Sequence, residues 1–210
     1  MKLTALLIAI EVGGTVAFAM SGLIEAMRKR MDVVGVFSVA FVSAFGGGTV
    51  RDLLLDRRPL FWVEHEAYLW LVLAMVVTAP WWLKLALRDT GTRLMEWADA
   101  FGLGLFAISG TGIAVAAGMS PGVSVLMGAT TAIVGGVARD VLCNEVPKVY
   151  QDHRPYALCA VAGSVAFLGL GALGLGSELA SLAGIAVATG SRLLAIAFDW
   201  QLPGWRLPQK

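Results

Sequence analysis

Apolar positions run almost without interruption for about twenty residues at a time, over roughly 4–26, 33–55, 67–87, 97–118, 122–143, 155–175 and 178–199. A helix that crosses a bilayer needs about 20 mostly apolar residues. The pattern therefore predicts an all-α membrane protein with seven transmembrane helices. Seven spans consume about 150 residues, leaving short loops and a tail of about ten. No room remains for a soluble catalytic or nucleic-acid-binding domain, so residues 1–210 read as one transmembrane domain. Met1-Lys2 followed by an apolar run and Ala17-Phe18-Ala19 resembles a cleavable signal. Glu11 inside the run, and recurrence of the segment later in the chain, predict an uncleaved first helix instead.

Composition agrees. The chain is 58% hydrophobic and 15% charged, holds 25 glycines and has a mean hydropathy of +0.76. Soluble domains carry about 25% charged residues and about 7% Gly, which excludes a disordered chain and argues against an ordinary soluble enzyme. A net charge of +1 gives no reason to expect nucleic acid or another polyanion, and no soluble partner is implied. Loop charge predicts orientation, because Lys and Arg accumulate on the cytoplasmic side of short loops. Arg28, Lys29, Arg30, Lys84, Arg88, Arg93, Arg139, Lys148, Arg154, Arg206 and Lys210 fall on one side; Lys2, Arg51, Arg57 and Arg58 fall on the other. The bias predicts an N-terminus outside and a C-terminus in the cytoplasm. Trp62, Trp70, Trp81, Trp82, Trp97, Trp200 and Trp205 lie near predicted span ends, where interfacial aromatics belong. Cys143 and Cys159 have no metal-site spacing and read as small apolar residues.

The chain repeats itself. A shift of 88 residues places Phe18-Ala19-Met20-Ser21-Gly22 on Phe106-Ala107-Ile108-Ser109-Gly110, Gly47-Gly48 on Gly135-Gly136, and Arg51-Asp52 on Arg139-Asp140. Pro59, His65 and Tyr68 fall on Pro147, His153 and Tyr156, and 16 of the 58 ungapped positions are identical. Repeat one covers about 4–88, repeat two about 93–176, and a seventh helix at about 178–199 stands outside them. Three spans per repeat force the second copy to enter the membrane from the opposite side. Such inverted repeats recur in transport proteins, with the permeant site at the repeat interface.

The second span holds Gly46, Gly47 and Gly48, and the fifth holds Gly135 and Gly136. Gly costs roughly 1 kcal/mol against Ala inside a helix. Clustered glycines read either as breaks facing a wet cavity or as close packing between helices. Each cluster precedes an Arg-Asp pair, Arg51-Asp52 or Arg139-Asp140, and charges inside a span are expensive. Adjacent helical residues do not face each other, so each arginine is expected to pair elsewhere: Arg51 with Glu11, and Arg139 with Asp99. Asp52 and Asp140 are then left free to meet cations, one at each mouth. The hydroxyls of Ser38, Ser43 and Thr49, and of Ser124, Thr130 and Thr131, either line the path or bond to backbone. His65 and His153, beside Glu64 and Asp152, lie on opposite sides of the membrane and cannot share a metal. Arg192 and Asp199 share a face of the seventh span, and Gly163, Gly169, Gly171, Gly174 and Gly176 suggest tight packing of the sixth. No nucleophile–base pair, phosphate loop or HExxH is present, so an enzyme is disfavoured.

Two three-helix repeats, each carrying Gly-Gly-x-x-Arg-Asp, followed by a seventh helix, resemble the trimeric intracellular cation channels, in their prokaryotic branch. Phe18-Ala19-Met20-Ser21-Gly22 and Asp99-Ala100-Phe101-Gly102-Leu103 fit the same pattern. The resemblance covers nearly the whole chain. It implies a homotrimer in a prokaryotic inner membrane, with one pore per subunit and membrane lipid as a further ligand. It implies potassium as the chief permeant ion, sodium also passing, and no cofactor. It places the pore between the second and fifth helices, kinked at Gly46, Gly47, Gly48, Gly135 and Gly136. Val134 replaces the first glycine of the second cluster. The residues alone do not separate a channel from a carrier of a small solute such as glycine, although the lack of an acid at mid-span favours a channel.

Overall fold

The computed structural model describes the backbone over residues 2–86 and 91–203 and the side chains over 5–81 and 93–203. Lys2, Lys84, Arg88, Arg206, Lys210, Trp82 and Trp205, used above for orientation, have side chains outside the described residues. The described residues form helices α1 (Lys2–Arg28), α2 (Val33–Leu54), α3 (Phe61–Glu64), α4 (Ala67–Ala86), α5 (Gly91–Ala116), α6 (Pro121–Leu142), α7 (Lys148–Gln151), α8 (Ala157–Ala172) and α9 (Ser177–Ala197). Among them, five are long and apolar enough to cross a membrane: α1, α2, α5, α6 and α9. Two further apolar stretches are shorter, Ala67–Trp81 in α4 and Ala157–Ala172, which is α8.

The expected sixth span of 155–175 is thus a helix of 16 residues. It stops where Gly174 takes a left-handed conformation, φ 86°, while Leu175 N–H donates back to the Leu170 carbonyl at 3.1 Å. This is a Schellman ending, which suits Gly because a Cβ is penalised there. Gly118 ends α5 in the same way, with φ 78° and Met119 N–H on the Ala114 carbonyl at 3.0 Å. Asp32 caps α2 by accepting from Gly35 N–H at 2.8 Å, and Ser120, which is 88 residues on, caps α6 by accepting from Val123 N–H. The bounds of α2 and α6 coincide under the shift of 88 at both ends.

Contacts between loops place the helix ends. Lys29, after α1, is hydrogen-bonded to Glu145, after α6. Arg154, before α8, reaches Glu96 near the start of α5 at 3.2 Å, and Leu202 N–H donates to the His153 carbonyl at 2.7 Å. The end of α1, the starts of α2, α5 and α8 and the ends of α6 and α9 therefore share one face, here the first face. The ends of α2 and α5 and the start of α6 lie on the opposite, second face.

Small residues let the helices approach. Gly14 accommodates the Phe106 ring, Gly104 the Thr189 hydroxyl, and Gly163 the Ala188 methyl of α9. Lipid tails are as apolar as leucine, so association rests on such close packing and on interhelical hydrogen bonds. Trp70, Trp81, Trp97 and Trp200 are exposed, whereas Trp62 is turned inward against Phe41 and Phe45.

Candidate functional site

α2 and α6 cross antiparallel through their glycines. A Cβ on Gly47 would lie 1.9 Å from the Thr131 carbonyl oxygen, and one on Gly135 would lie 2.2 Å from that of Ser43. These contacts are equivalent under the shift of 88. Gly46 faces the Gly135 Cα, with 3.7 Å left for a Cβ. Both helices run unbroken through the glycines. Of the two readings open in the sequence, the packing one describes this contact: the glycines are points where two backbones meet. Gly48 makes room for the Phe61 ring, and Gly136 for the Tyr156 hydroxyl.

A charged site flanks this contact on each side. Toward the second face, Arg51 is 1% exposed. Its Nε donates to Asp52 Oδ1 at 2.8 Å, its Nη1 to Ser109 Oγ of α5 at 3.5 Å, and Glu11 Oε1 of α1 lies 4.0 Å from Nη1. Phe61 covers the guanidinium with its ring centroid 5.2 Å away, and Tyr68 donates to Glu11 at 3.4 Å. Toward the first face, Arg139 Nε donates to Asp140 Oδ1 at 2.8 Å and Nη1 to Asp99 Oδ1 of α5 at 2.5 Å, with Ser21 of α1 also bonded to Nη1. The arginines are twelve positions apart in the antiparallel register, or about 18 Å at 1.5 Å per residue.

Each arginine therefore binds a serine from the other half of the chain. The second carboxylate oxygen of each neighbouring aspartate is also engaged. Asp52 Oδ2 accepts Phe61 N–H at 2.8 Å, and Asp140 Oδ2 accepts Lys148 N–H at 2.9 Å. A buried ion pair is costly unless its remaining lone pairs are satisfied, and these backbone N–H groups satisfy the second oxygen of each aspartate.

A third charged cluster holds α9. Arg192 donates to the Pro155 carbonyl at 3.0 Å and to Asp152 at 3.3 Å, and lies 4.9 Å from the centre of the Tyr156 ring. Arg154 bridges Asp152 at 2.8 Å and Glu96 at 3.2 Å. Burial opposes charge on Asp152, yet its bonds from Arg154 and the nearby Arg192 hold the carboxyl below its ordinary range. Asp199 comes within 3.9 Å of Arg154, not of Arg192.

A protein-family profile described as "Glycine transporter" matches residues 8–84 and again 96–172, two copies offset by 88 residues. The "UPF0126 inner membrane protein YadS" of Escherichia coli K12 is 35% identical over 204 residues, covering 95% of this chain and 96% of that protein. The crystallised TRIC trimeric intracellular cation channel orthologue from Rhodobacter sphaeroides is 36% identical with a TM-score of 0.86, covering 92% of this chain and 98% of that one. A second solved structure, described as a basis for conductance through TRIC cation channels, is 32% identical with a TM-score of 0.83, covering 96% and 98%. The chain belongs to the TRIC family.

Several expected residues of this TRIC chain sit elsewhere than their spacing implied. Asp52 and Asp140 are not free acids: both are buried, each chelated by its own neighbouring arginine and a backbone N–H. Adjacent helical residues point apart at Cβ, but the arginine side chain is long enough to fold back at the last turn. The hydroxyls mostly meet backbone or indole. Ser43 donates to the Phe18 carbonyl at 2.9 Å, Thr131 to Met127 at 2.7 Å, Ser38 to Val34 at 2.8 Å and Ser124 to Met119 at 3.4 Å. Thr49 accepts the Trp62 indole N–H at 3.1 Å, and Thr130 is half-buried. His65 packs on Tyr68, while His153 bonds Leu202 through its carbonyl. Ser21, Ser109, Tyr68, Tyr156 and Phe61 carried no site role in the sequence pattern, although they surround the two arginines. The first four are identical across the repeats, which was the available signal. Phe61 falls on Val149 and carried none.

Proposed function

We propose that this protein is a cation channel, selective for potassium over anions and permeable to sodium, with one pore per subunit of a homotrimer in the bacterial inner membrane. The observation that carries this reading is the pair of buried arginine–carboxylate sites on either side of the α2–α6 glycine contact. A scaffold gains little from burying such charges, which mark ion pathways in membrane proteins. Asp99, Arg139 and Asp140 sum to one negative charge, which disfavours anions at the first-face end; at the other end Arg57, 3.9 Å from Asp52, balances the same sum of Glu11, Arg51 and Asp52. The solved relatives, described as TRIC cation channels, support the same reading.

The chain is read as seven spans: two inverted three-helix repeats and α9. The antiparallel α2–α6 contact and the doubled family match support the inversion. The first face is cytoplasmic, since Arg28, Lys29, Arg30, Arg93, Lys148 and Arg154 gather there. Gly46, Gly47, Gly48, Gly135 and Gly136 form the constriction, which is shut when the backbones touch and opens as α2 and α6 part. Arg51 and Arg139 guard its two ends, held by Asp52 and Asp140 and tuned by Glu11 and Asp99. Ser43, Thr49, Thr130 and Thr131 offer oxygen atoms along the same helices once they separate.

Recording from purified protein in planar bilayers tests the reading. Unitary currents with a reversal potential following the potassium gradient are expected, together with a detergent-solubilised mass of three subunits. Absence of unitary currents alongside saturable glycine uptake into vesicles would establish a carrier instead.

A further inference from the structure

The two mouths differ at positions that the repeat makes equivalent. Asp56 and Asn144 take the same left-handed turn, φ 50° and 56°. The next residue folds back identically: Arg57 N–H donates to the Asp52 carbonyl at 2.8 Å, and Glu145 N–H to the Asp140 carbonyl at 2.9 Å. One backbone position therefore delivers a guanidinium to the outer mouth and a carboxylate to the inner mouth.

Their surroundings differ as well. At the inner mouth Glu145 binds Lys29, and Glu25 pairs with Arg28 at 3.4 Å, so charged side chains span from the end of α1 to the end of α6. At the outer mouth Ala116 and Ala117 stand where Arg28 and Lys29 stand inside. Among the described residues no such strap forms there. A cavity of about 440 Å³ remains between the ends of α2 and α5, and Arg57 is the charged residue on its wall. Arg57 is 40% exposed and has two counter-charges. Asp52, at 3.9 Å, is already engaged by Arg51 and Phe61 N–H; Glu64, also at 3.9 Å, is itself exposed to water.

We propose that Arg57 and Glu145 control access of cations to opposite mouths: Arg57 opposes cations arriving from outside, and Glu145, by neutralising Lys29, admits those arriving from the cytoplasm. This inference rests on the channel reading above. The two directions of current are then set by different residues, and their ratio is a property of this one repeated position. A unit charge several Å from an ion's path changes the local cation concentration about two- to threefold at 0.1 M salt, where the Debye length is about 10 Å. At 1 M it is about 3 Å and the effect fades.

Single-channel current–voltage curves from inside-out patches of cells expressing the chain test this, in symmetric 0.1 M and 1 M KCl. Arg57→Gln should raise the current carried by potassium entering from outside about twofold at 0.1 M and leave the opposite direction unchanged. Arg57→Lys should behave as the unsubstituted chain. Glu145→Gln should lower the current entering from the cytoplasm by a similar factor, and both effects should vanish at 1 M. Unchanged current ratios in Arg57→Gln and Glu145→Gln overturn the proposal while leaving the channel intact. A change undiminished at 1 M also overturns it, since that marks altered pore shape rather than charge. Lack of unitary current in the unsubstituted chain overturns the channel reading and this inference with it.

Discussion

Replacing Gly47 by Ala isolates what the glycine cluster does. The new methyl would sit 1.9 Å from the Thr131 carbonyl oxygen, more than 1 Å inside the 3.0 Å that real Cβ atoms respect. The obstacle is backbone, so no rotamer change relieves it, and α2 and α6 must shift as units. Overpacking of this kind costs about 3 kcal/mol at the upper end of its usual range. Alanine's better helix propensity returns roughly 1 kcal/mol. A net loss of about 2 kcal/mol follows. Gly46→Ala, two adjacent positions sharing one cluster, is the internal control. Its Cβ would find its nearest neighbour at 3.7 Å, an ordinary contact. That variant keeps the propensity gain without the clash and should be up to about 1 kcal/mol more stable. The two alanines should therefore differ by about 3 kcal/mol in opposite directions. Thermal unfolding of the purified protein in one detergent, followed by loss of the monodisperse peak, measures the order. If Gly47→Ala melts at or above Gly46→Ala, the backbone contact between α2 and α6 is not as described.

Other expected outcomes probe the charged sites. Arg139→Gln leaves Asp99 and Asp140 buried without their cation and should cost about 3–5 kcal/mol, read as loss of folded protein. Adding Asp99→Asn should recover part of it, and no recovery would deny their coupling. Ser21→Ala removes one hydroxyl partner of Arg139 and should cost about 1.5–3 kcal/mol, by the same melting assay. Arg192→Ala releases α9 from Pro155, Asp152 and Tyr156; hydrogen exchange should rise in the last turns of α9, and unchanged protection would refute the clamp. The Asp152 carboxyl is held below its ordinary range, so its contribution to stability is full above the unfolded aspartate value of about 3.9. It is lost only as pH falls through the lower folded value. The melting difference between the unsubstituted chain and Asp152→Asn should stay constant from pH 8 to about pH 5 and shrink below about pH 4; loss near neutrality would contradict the sign.

The pairings Arg51 with Glu11 and Arg139 with Asp99 were legible because the shift of 88 matched both acids and both arginines at once. Asp52 and Asp140 were misjudged because an adjacency argument treats side chains as rigid vectors from Cβ. A buried arginine at a helix end folds back over its neighbour when the next segment supplies an N–H for the remaining oxygen. The short helices Phe61–Glu64 and Lys148–Gln151 supply it. Neither stood out in the apolar pattern, since four residues show no periodicity.

What the sequence alone determines is the set of apolar helices, their duplication and the position of the charge within each copy. These follow from local composition and from identity at a fixed offset, which need no knowledge of neighbours. Tertiary structure decided that the glycines serve as contacts between α2 and α6, that each arginine reaches a serine in the other half, and that Arg57 and Glu145 meet such different surroundings. Each depends on which backbone lies within a few Å across a helix interface. That distance is set by the packing of the whole bundle, and no single segment encodes it.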